Sequence, residues 1–269
     1  MTNNSPAPLQ PATVLFIVAV ILFLACGCGG ETNRVLVFSK TAGFRHASIE
    51  AGQEMFRKLA SEKSFTVDFS EDATVFNQDN LSKYKVVVFL STTGDILNDA
   101  QQRELERFLE AGGNWMGIHA AADTEYDWPW YNQLVGAYFL SHPRGQPRAT
   151  IIVENHDHPA TAFLGDTWVR NDEWYNYKSI QDDFTTLLRL DESTYEGGKN
   201  GDNHPIAWYK AVANGRMFYT GLGHTDESYR EPEFVRHVSG GLDYLFGNER
   251  PVRYADKSVE RGGASPNIP

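Results

Sequence analysis

Short apolar runs alternate with longer amphipathic segments along the first half of the chain, beyond residue 30. The apolar runs span residues 35–39, 86–90 and 115–118, and residues 66–70 are a further predicted strand. Continuous apolar runs of this length are typical of parallel strands that are covered on both faces. Between them, apolar residues recur at helical steps after Ser48, which can cap a helix, and after Asn98, which forms a capping-box pattern with Gln101. This alternation predicts an α/β fold.

The second half of the chain has weaker periodicity. Residues 123–203 are rich in Trp, Tyr, Asp and Asn, which predicts a long loop-rich insertion with some antiparallel strands. Two more apolar runs and a closing helix that begins near Pro232 and ends before Gly247 complete the pattern. We expect an open, doubly wound, mostly parallel sheet with helices on both faces, over residues 31–249. Residues 250–269 are predicted to form a polar tail.

The N-terminal segment, residues 1–30, has the pattern of an export signal. Its apolar run, residues 14–25, is too short to span a bilayer and suits a signal peptide. Small residues surround Cys26 and Cys28, which resembles a bacterial lipoprotein signal with lipidation at either cysteine. An uncleaved membrane anchor is the alternative. Both interpretations predict an exported, membrane-anchored protein in the periplasm or at the cell surface.

Charge and cysteine content exclude several classes of function. The net charge is −11, with 24 Lys and Arg against 35 Asp and Glu, which disfavours a nucleic-acid partner. Both cysteines of the chain lie in the N-terminal segment. The predicted α/β domain therefore has no internal disulfide, no cysteine-ligated zinc and no thiol nucleophile.

Histidines follow three of the predicted strands. His46 comes after the first strand, His119 directly after the run 115–118, and His224 after the last strand. Ligands of open α/β sheets bind where loops leave the carboxyl ends of the strands, so these side chains are candidates for one shared site. Imidazole serves general acid/base catalysis near pH 7 and also coordinates divalent metals. Glu173 could orient a ring, complete a ligand set or simply form a salt bridge.

Five ordered segments of the chain resemble the signature motifs of the ThuA-like (trehalose utilisation) family. They are residues 41–46 (TAGFRH), 117–123 (GIHAAAD), 171–175 (NDEWY), 204–208 (HPIAW) and 221–229 (GLGHTDESY). The resemblance implies a class I glutamine-amidotransferase-like, flavodoxin-like fold and a role in the breakdown of trehalose or 3-keto disaccharides. His119 stands where that fold has its nucleophilic cysteine. Because imidazole cannot form a thioester, ammonia release from glutamine is excluded.

The candidate residues fall into two groups. The expected catalytic group is His119, His224, Glu173 and His46, acting by proton transfer or by holding a divalent metal such as zinc. His46 could instead serve the N-terminus of the following helix. The expected substrate-binding group is Arg45, Asp123, Asp172, Trp174, Tyr175 and Tyr229. Asp123 could alternatively hold His119 in one tautomer or cap a turn.

Aromatic residues would suit the apolar face of a pyranose, although most aromatics are buried in cores. The aromatic candidates beyond those named above are Trp128, Trp130 and Tyr131. We therefore expect an enzyme of sugar catabolism with a small-molecule sugar as its substrate. A carbohydrate-binding lipoprotein without catalytic activity is the alternative, and the sequence leaves a homo-oligomer open.

Overall fold

The computed structural model describes Met1 and residues 33–255. Its strands and helices alternate in the first half, as predicted. In chain order they are β1 (Arg34–Phe38), α1 (Ile49–Lys63), β2 (Thr66–Ser70), α2 (Gln78–Leu81), β3 (Val86–Leu90), α3 (Asp99–Glu110), β4 (Asn114–Ile118), α4 (Pro129–Val135), β5 (Tyr138–Ser141), β6 (Arg148–Val153), β7 (Thr167–Asn171), β8 (Asn176–Lys178), β9 (Thr185–Asp191), β10 (Pro205–Val212), β11 (Gly215–Thr220) and α5 (Pro232–Phe246).

One nine-stranded sheet organises this part of the chain, in the order β2-β1-β3-β4-β11-β10-β9-β6-β7. The five strands from β2 to β11 are mutually parallel. The strands from β11 to β7 are paired antiparallel, and three of them come from the loop-rich insertion. Strands β5 and β8 pair separately. The predicted α/β fold is confirmed, with a mixed sheet to which the insertion adds strands.

Helices cover both faces of the sheet. Trp115 of β4 packs against Tyr131 of α4, with ring centroids 5.9 Å apart. Phe218 of β11 packs against His237 of α5, with centroids 5.3 Å apart. Phe218 is paired with Met116, the neighbour of Trp115, and successive side chains of a strand point to opposite faces. Helices α4 and α5 therefore lie on opposite sides, and the strands between them are buried on both faces.

The starts of helices α1 and α3 differ from each other. Asn98 accepts hydrogen bonds from the backbone N–H groups of Ala100 and Gln101, and the Gln101 side chain accepts from the N–H of Asn98. The predicted capping box of α3 is confirmed. The prediction that the Ser48 side chain caps α1 is wrong, because its hydroxyl donates to the carbonyl of Gly223 at 3.4 Å instead. That contact ties the start of α1 to the loop after β11.

Two predicted segments fall mainly outside the described residues. Apart from Met1, the N-terminal signal, with Cys26 and Cys28, lies outside them, as does the tail beyond residue 255. The described start of the tail packs against the domain, because Tyr254 is partly buried and the Arg253 N–H donates to the carbonyl of Ala111 at 2.7 Å. Within the described residues, no helix is both long enough and apolar enough to cross a membrane.

The α3 capping box allows a direct stability test. Replacing Asn98 by alanine removes the acceptor for two N–H groups of the first turn, so we expect the free energy of unfolding to fall by about 1 kcal/mol. Urea denaturation followed by circular dichroism measures the change. Asn98→Asp is the matched control, because it keeps the acceptor oxygen. Equal losses in both variants would contradict the capping role.

Candidate functional site

Four side chains from separate loops meet at the carboxyl ends of the strands. His46 comes from the loop after β1, His119 follows β4 directly, Glu173 lies just after β7, and His224 follows β11. One potential ligand atom from each lies within 4.8 Å of the others. The structure thus brings together all four residues of the predicted catalytic group, and their chemical roles stay predictions.

Three of these side chains form a compact triangle of donor atoms. Nε2 of His119 lies 3.2 Å from Nδ1 of His224 and 3.4 Å from Oε2 of Glu173. Nδ1 of His224 lies 3.2 Å from the same Glu173 oxygen. In tetrahedral coordination with bonds of about 2.0 to 2.1 Å, neighbouring ligand atoms are about 3.3 Å apart. The triangle therefore has the dimensions of one face of a metal coordination shell.

The ring of His119 is held in one orientation by its backbone and by a carbonyl. His119 has φ of 51°, a left-handed conformation that costs a non-glycine residue about 1 kcal/mol or more. Its Nδ1 lies 2.9 Å from the carbonyl oxygen of Gly221 and donates to it, which leaves the Nε2 lone pair facing the site. The alternative in which Asp123 sets this tautomer is wrong, because the Asp123 carboxylate instead accepts a hydrogen bond from Tyr126.

Asp172 holds Glu173 and His224 in place through their backbones. Its carboxylate accepts hydrogen bonds from the N–H groups of Glu173, Gly223 and His224, at 2.9, 3.0 and 3.1 Å. Arg170, itself buried, lies 3.2 Å from the same carboxylate. Because Asp172 has no exposed surface, the structure argues against its predicted contact with substrate. Asp172 therefore positions the backbones of Glu173 and His224.

His46 supplies the fourth side chain from a buried position. It is only 4% exposed, and its ring centroid lies 4.9 Å from that of His119 and 5.3 Å from that of His224. Its Nδ1 has no hydrogen-bond partner among the described residues. Burial, reinforced by the neighbouring imidazoles, lowers the pKa of His46 to about 3. The ring is therefore neutral near pH 7 and keeps a lone pair for a ligand.

The electrostatics of the site are those of an ion pair. Burial alone would raise the pKa of Glu173, but its contacts with the imidazoles of His119 and His224 outweigh burial and hold that pKa well below its usual range. Burial acts to lower the pKa of His224, but the hydrogen bond and charge of Glu173 raise it overall. Without a metal, the proton of His224 therefore balances the charge of Glu173.

Most of the predicted substrate-binding residues are buried or engaged elsewhere. Tyr175 packs on His119 with centroids 4.4 Å apart, and the indole N–H of Trp174 donates to the carbonyl of Pro147 at 2.7 Å. Arg45 is exposed and forms ion pairs with Glu50 and Glu71. Tyr229 is buried as well. The aromatic candidates that stack on one another around the start of α4 are Trp128, Trp130 and Tyr131. These positions argue against direct substrate contact, and the binding roles stay predictions.

Two residues at the rim of the site were not among the predicted site residues. Nδ1 of His142 lies 3.2 Å from Oε1 of Glu173, and the His142 side chain is 40% exposed. Phe44 is 68% exposed, and its ring meets that of His46 edge to face at 4.9 Å. His142 follows β5, which pairs with β8 outside the main sheet, so the rule for strand ends did not point to it. Nothing in the sequence distinguishes an exposed Phe44 from a buried one.

Comparisons with known proteins agree on one family. A family model described as ThuA, trehalose utilisation, matches residues 34–245. A ThuA-like protein from Bacteroides uniformis is similar in structure with a TM-score of 0.67 and 23% identity, covering 79% of this chain and 91% of that one. A second, from Parabacteroides merdae, has a TM-score of 0.66 and 19% identity, covering 84% and 94%.

A more distant likeness extends to part of a larger enzyme. A β-galactosidase from Bacillus circulans has a TM-score of 0.53 and 13% identity, covering 83% of this chain and 32% of that one. At this identity the likeness concerns the fold alone. No curated protein matches the sequence.

The buried Asp172 can be tested by removing its charge. Asp172→Asn leaves Arg170 without its buried partner and places an amide against three N–H donors, so we expect the free energy of unfolding to fall by about 3 kcal/mol. Denaturant titration measures the loss. The control is Asp166→Asn, whose side chain is fully exposed and should leave the unfolding midpoint unchanged. A loss no larger than that of the control would refute the positioning role.

The neutral state of His46 predicts a pH dependence of stability. Because its pKa is about 3 in the folded protein and 6.5 in the unfolded reference, the unfolded state binds more protons between these values. The free energy of unfolding of the metal-free protein should therefore fall as pH drops from about 6.5 towards 3. His46 alone contributes up to about 1.4 kcal/mol per pH unit in this window.

The variant His46→Gln isolates this contribution. The lowered pKa of Glu173 also makes the free energy of unfolding fall as pH drops below its unfolded pKa. The raised pKa of His224 makes the free energy of unfolding fall as pH rises. Both residues remain in the variant. Stability should consequently depend less on pH in His46→Gln, by about one bound proton between pH 6.5 and 4. Identical pH profiles for the two proteins would show that His46 is not held neutral.

Proposed function

Since this chain belongs to the ThuA family, whose description is trehalose utilisation, we propose that it processes a sugar at His46, His119, Glu173 and His224. The proposed substrate is a trehalose-like disaccharide or its 3-keto derivative. The observation that carries the proposal is the triangle of donor atoms from His119, Glu173 and His224, with edges of 3.2 to 3.4 Å. These residues come from three distant parts of the chain. Stability of the fold does not require two imidazoles and a carboxylate at the spacing of metal ligands.

We propose further that this cluster holds a divalent metal ion such as zinc. Imidazole nitrogen and carboxylate oxygen are the donors that such ions take when no cysteine is available. The His119 lone pair faces the cluster, and the buried Nδ1 of His46 has no other partner within the described residues. A divalent ion held by His46, His119, Glu173 and His224 would polarise a sugar carbonyl or hydroxyl oxygen and stabilise charge that develops on it.

The residues around the cluster have supporting roles. Nδ1 of His142 lies 2.7 Å from the carbonyl oxygen of Pro143 and 3.2 Å from Oε1 of Glu173. The other carboxylate oxygen, Oε2, faces His119 and His224. Partners of this kind orient ligands in metal sites. Tyr175 covers one side of the His119 ring and keeps water away from it. His119 at the cysteine position also argues against amidotransferase chemistry, because an imidazole cannot carry a thioester.

Metal binding and sugar turnover test the proposal together. We expect the protein, after loading with zinc, to retain about one ion per chain, and His119→Ala or His224→Ala to lower zinc affinity at least about 100-fold. Both variants should lose turnover of 3-keto trehalose. His156→Ala, which removes an exposed histidine, is the control and should retain both properties.

The outcomes separate the alternatives. Retention of zinc by both ligand variants would refute the metal site. Zinc binding with unchanged turnover of oxidised disaccharides in both variants would refute the catalytic role of the cluster. Saturable sugar binding without any product would instead establish a carbohydrate-binding protein, and enzymatic function would be rejected.

A further inference from the structure

Phe44 is unusual among the apolar residues of this protein. It is 68% exposed, more than any other large apolar side chain within residues 33–255. An exposed aromatic ring leaves apolar area in water that burial would stabilise. Phe44 nevertheless lies next to the candidate site, with its ring 4.9 Å from that of the buried His46. The exposed ring is therefore accessible to a ligand that reaches the candidate site.

The loop that carries Phe44 is firmly held. The backbone N–H groups of Ala42 and Gly43 donate to the carbonyl of Thr93, at 2.7 and 3.3 Å. The Thr93 hydroxyl donates to the carbonyl of Phe44 itself at 2.9 Å. A methyl group on Gly43 would come within 3.3 Å of that same hydroxyl oxygen, which shows how closely the two segments approach. Phe44 is thus presented on a tied backbone, and its exposure is not the result of a loose loop.

The side chain of Arg45, the charged neighbour of Phe44, pairs with two glutamates. Arg45 pairs with Glu50 at 2.8 Å and with Glu71 at 2.9 Å, so its guanidinium does not lie across the exposed ring. The edge-to-face contact with His46, at an interplanar angle of 86°, uses only part of the ring. An apolar surface beside the polar cluster is consequently free to contact a ligand that the cluster holds.

We infer that Phe44 is the platform on which the apolar face of a sugar ring stacks while its oxygen atoms reach the cluster. The inference deepens the proposed function and rests on it. A pyranose has a face of C–H groups that matches an aromatic ring, together with hydroxyl or carbonyl oxygens at its edge. An open-chain polyol has hydroxyl oxygens but no such face. Phe44 therefore selects cyclic sugars over open-chain ones.

The test compares variants of Phe44 on ring and open-chain probes. With zinc-loaded protein, Phe44→Ala should weaken the binding of trehalose and of 3-keto trehalose about 5- to 30-fold, with KM rising more than kcat falls. Binding of sorbitol, the open-chain probe, should change less than about twofold. Phe44→Trp should retain trehalose binding, and its added indole should change fluorescence when trehalose is bound.

Controls separate this inference from the underlying proposal. Val169→Ala removes an exposed apolar side chain on the edge strand β7 and should leave sugar binding unchanged. Zinc affinity should be equal in Phe44→Ala and the unaltered protein. If the unaltered protein binds neither sugar, the proposed function and this inference both fail. If it binds them and Phe44→Ala binds them equally well, only the inference fails.

One further outcome would reassign Phe44. If the unaltered protein sediments as a dimer that Phe44→Ala converts to monomer, with sugar affinity unchanged, the exposed ring is an interface between two copies of the chain. That result would overturn the stacking platform. A monomer in both cases, with weaker trehalose binding in Phe44→Ala, supports it.

Discussion

The buried carboxylate of Asp172 is the interaction on which the candidate site depends. It accepts three backbone N–H groups, two of them from the loop after β11 and one from Glu173, and it is paired with Arg170. A buried charge is tolerated only when it is paired and hydrogen-bonded, and this one has both kinds of partner. Because the same carboxylate fixes Glu173 and His224, residues 51 positions apart in the chain keep their donor atoms 3.2 Å apart.

The curvature of the sheet makes that interaction geometrically available. Strand β7 is four strands from β11, which corresponds to about 19 Å across a flat sheet. Yet Trp168 of β7 and Phe218 of β11 both contact His237 of α5, with ring centroids at 6.1 and 5.3 Å. The antiparallel half of the sheet therefore curls over α5 and brings its edge strand back towards the parallel half. His46 and His119 follow parallel strands. Glu173 follows β7, and the curvature of the antiparallel half brings it close to them.

Local patterns predicted much of the fold, and the rule for strand ends predicted the meeting of the histidines. The bounds of β2 and β3 and the Asn98 capping box match the predicted strands and capping pattern, because propensity and burial act there through neighbouring residues. The partner of His119 could not be predicted, since the carbonyl of Gly221 has no side-chain signature. Asp172 and Glu173 are adjacent acids in the sequence. Only their burial and contacts show that Asp172 holds the backbone of the site, whereas Glu173 faces the histidines. The exposure of Phe44 depends on contacts across the fold, with Thr93 above all.

The charge of the cluster favours the metal interpretation over a permanent imidazolium–carboxylate pair. Arg170 lies between the carboxylates of Asp172 and Glu231, and Glu173 is the one acid among the four cluster residues. His46 is kept neutral by burial. In the metal-free state a proton on His224 balances Glu173, and the imidazoles of His46 and His119 have no electrostatic purpose. A divalent ion in the place of that proton would use all four side chains and leave a net charge of about +1. A centre of that charge, next to an apolar platform, is suited to stabilise negative charge that develops on an oxygen of a neutral sugar.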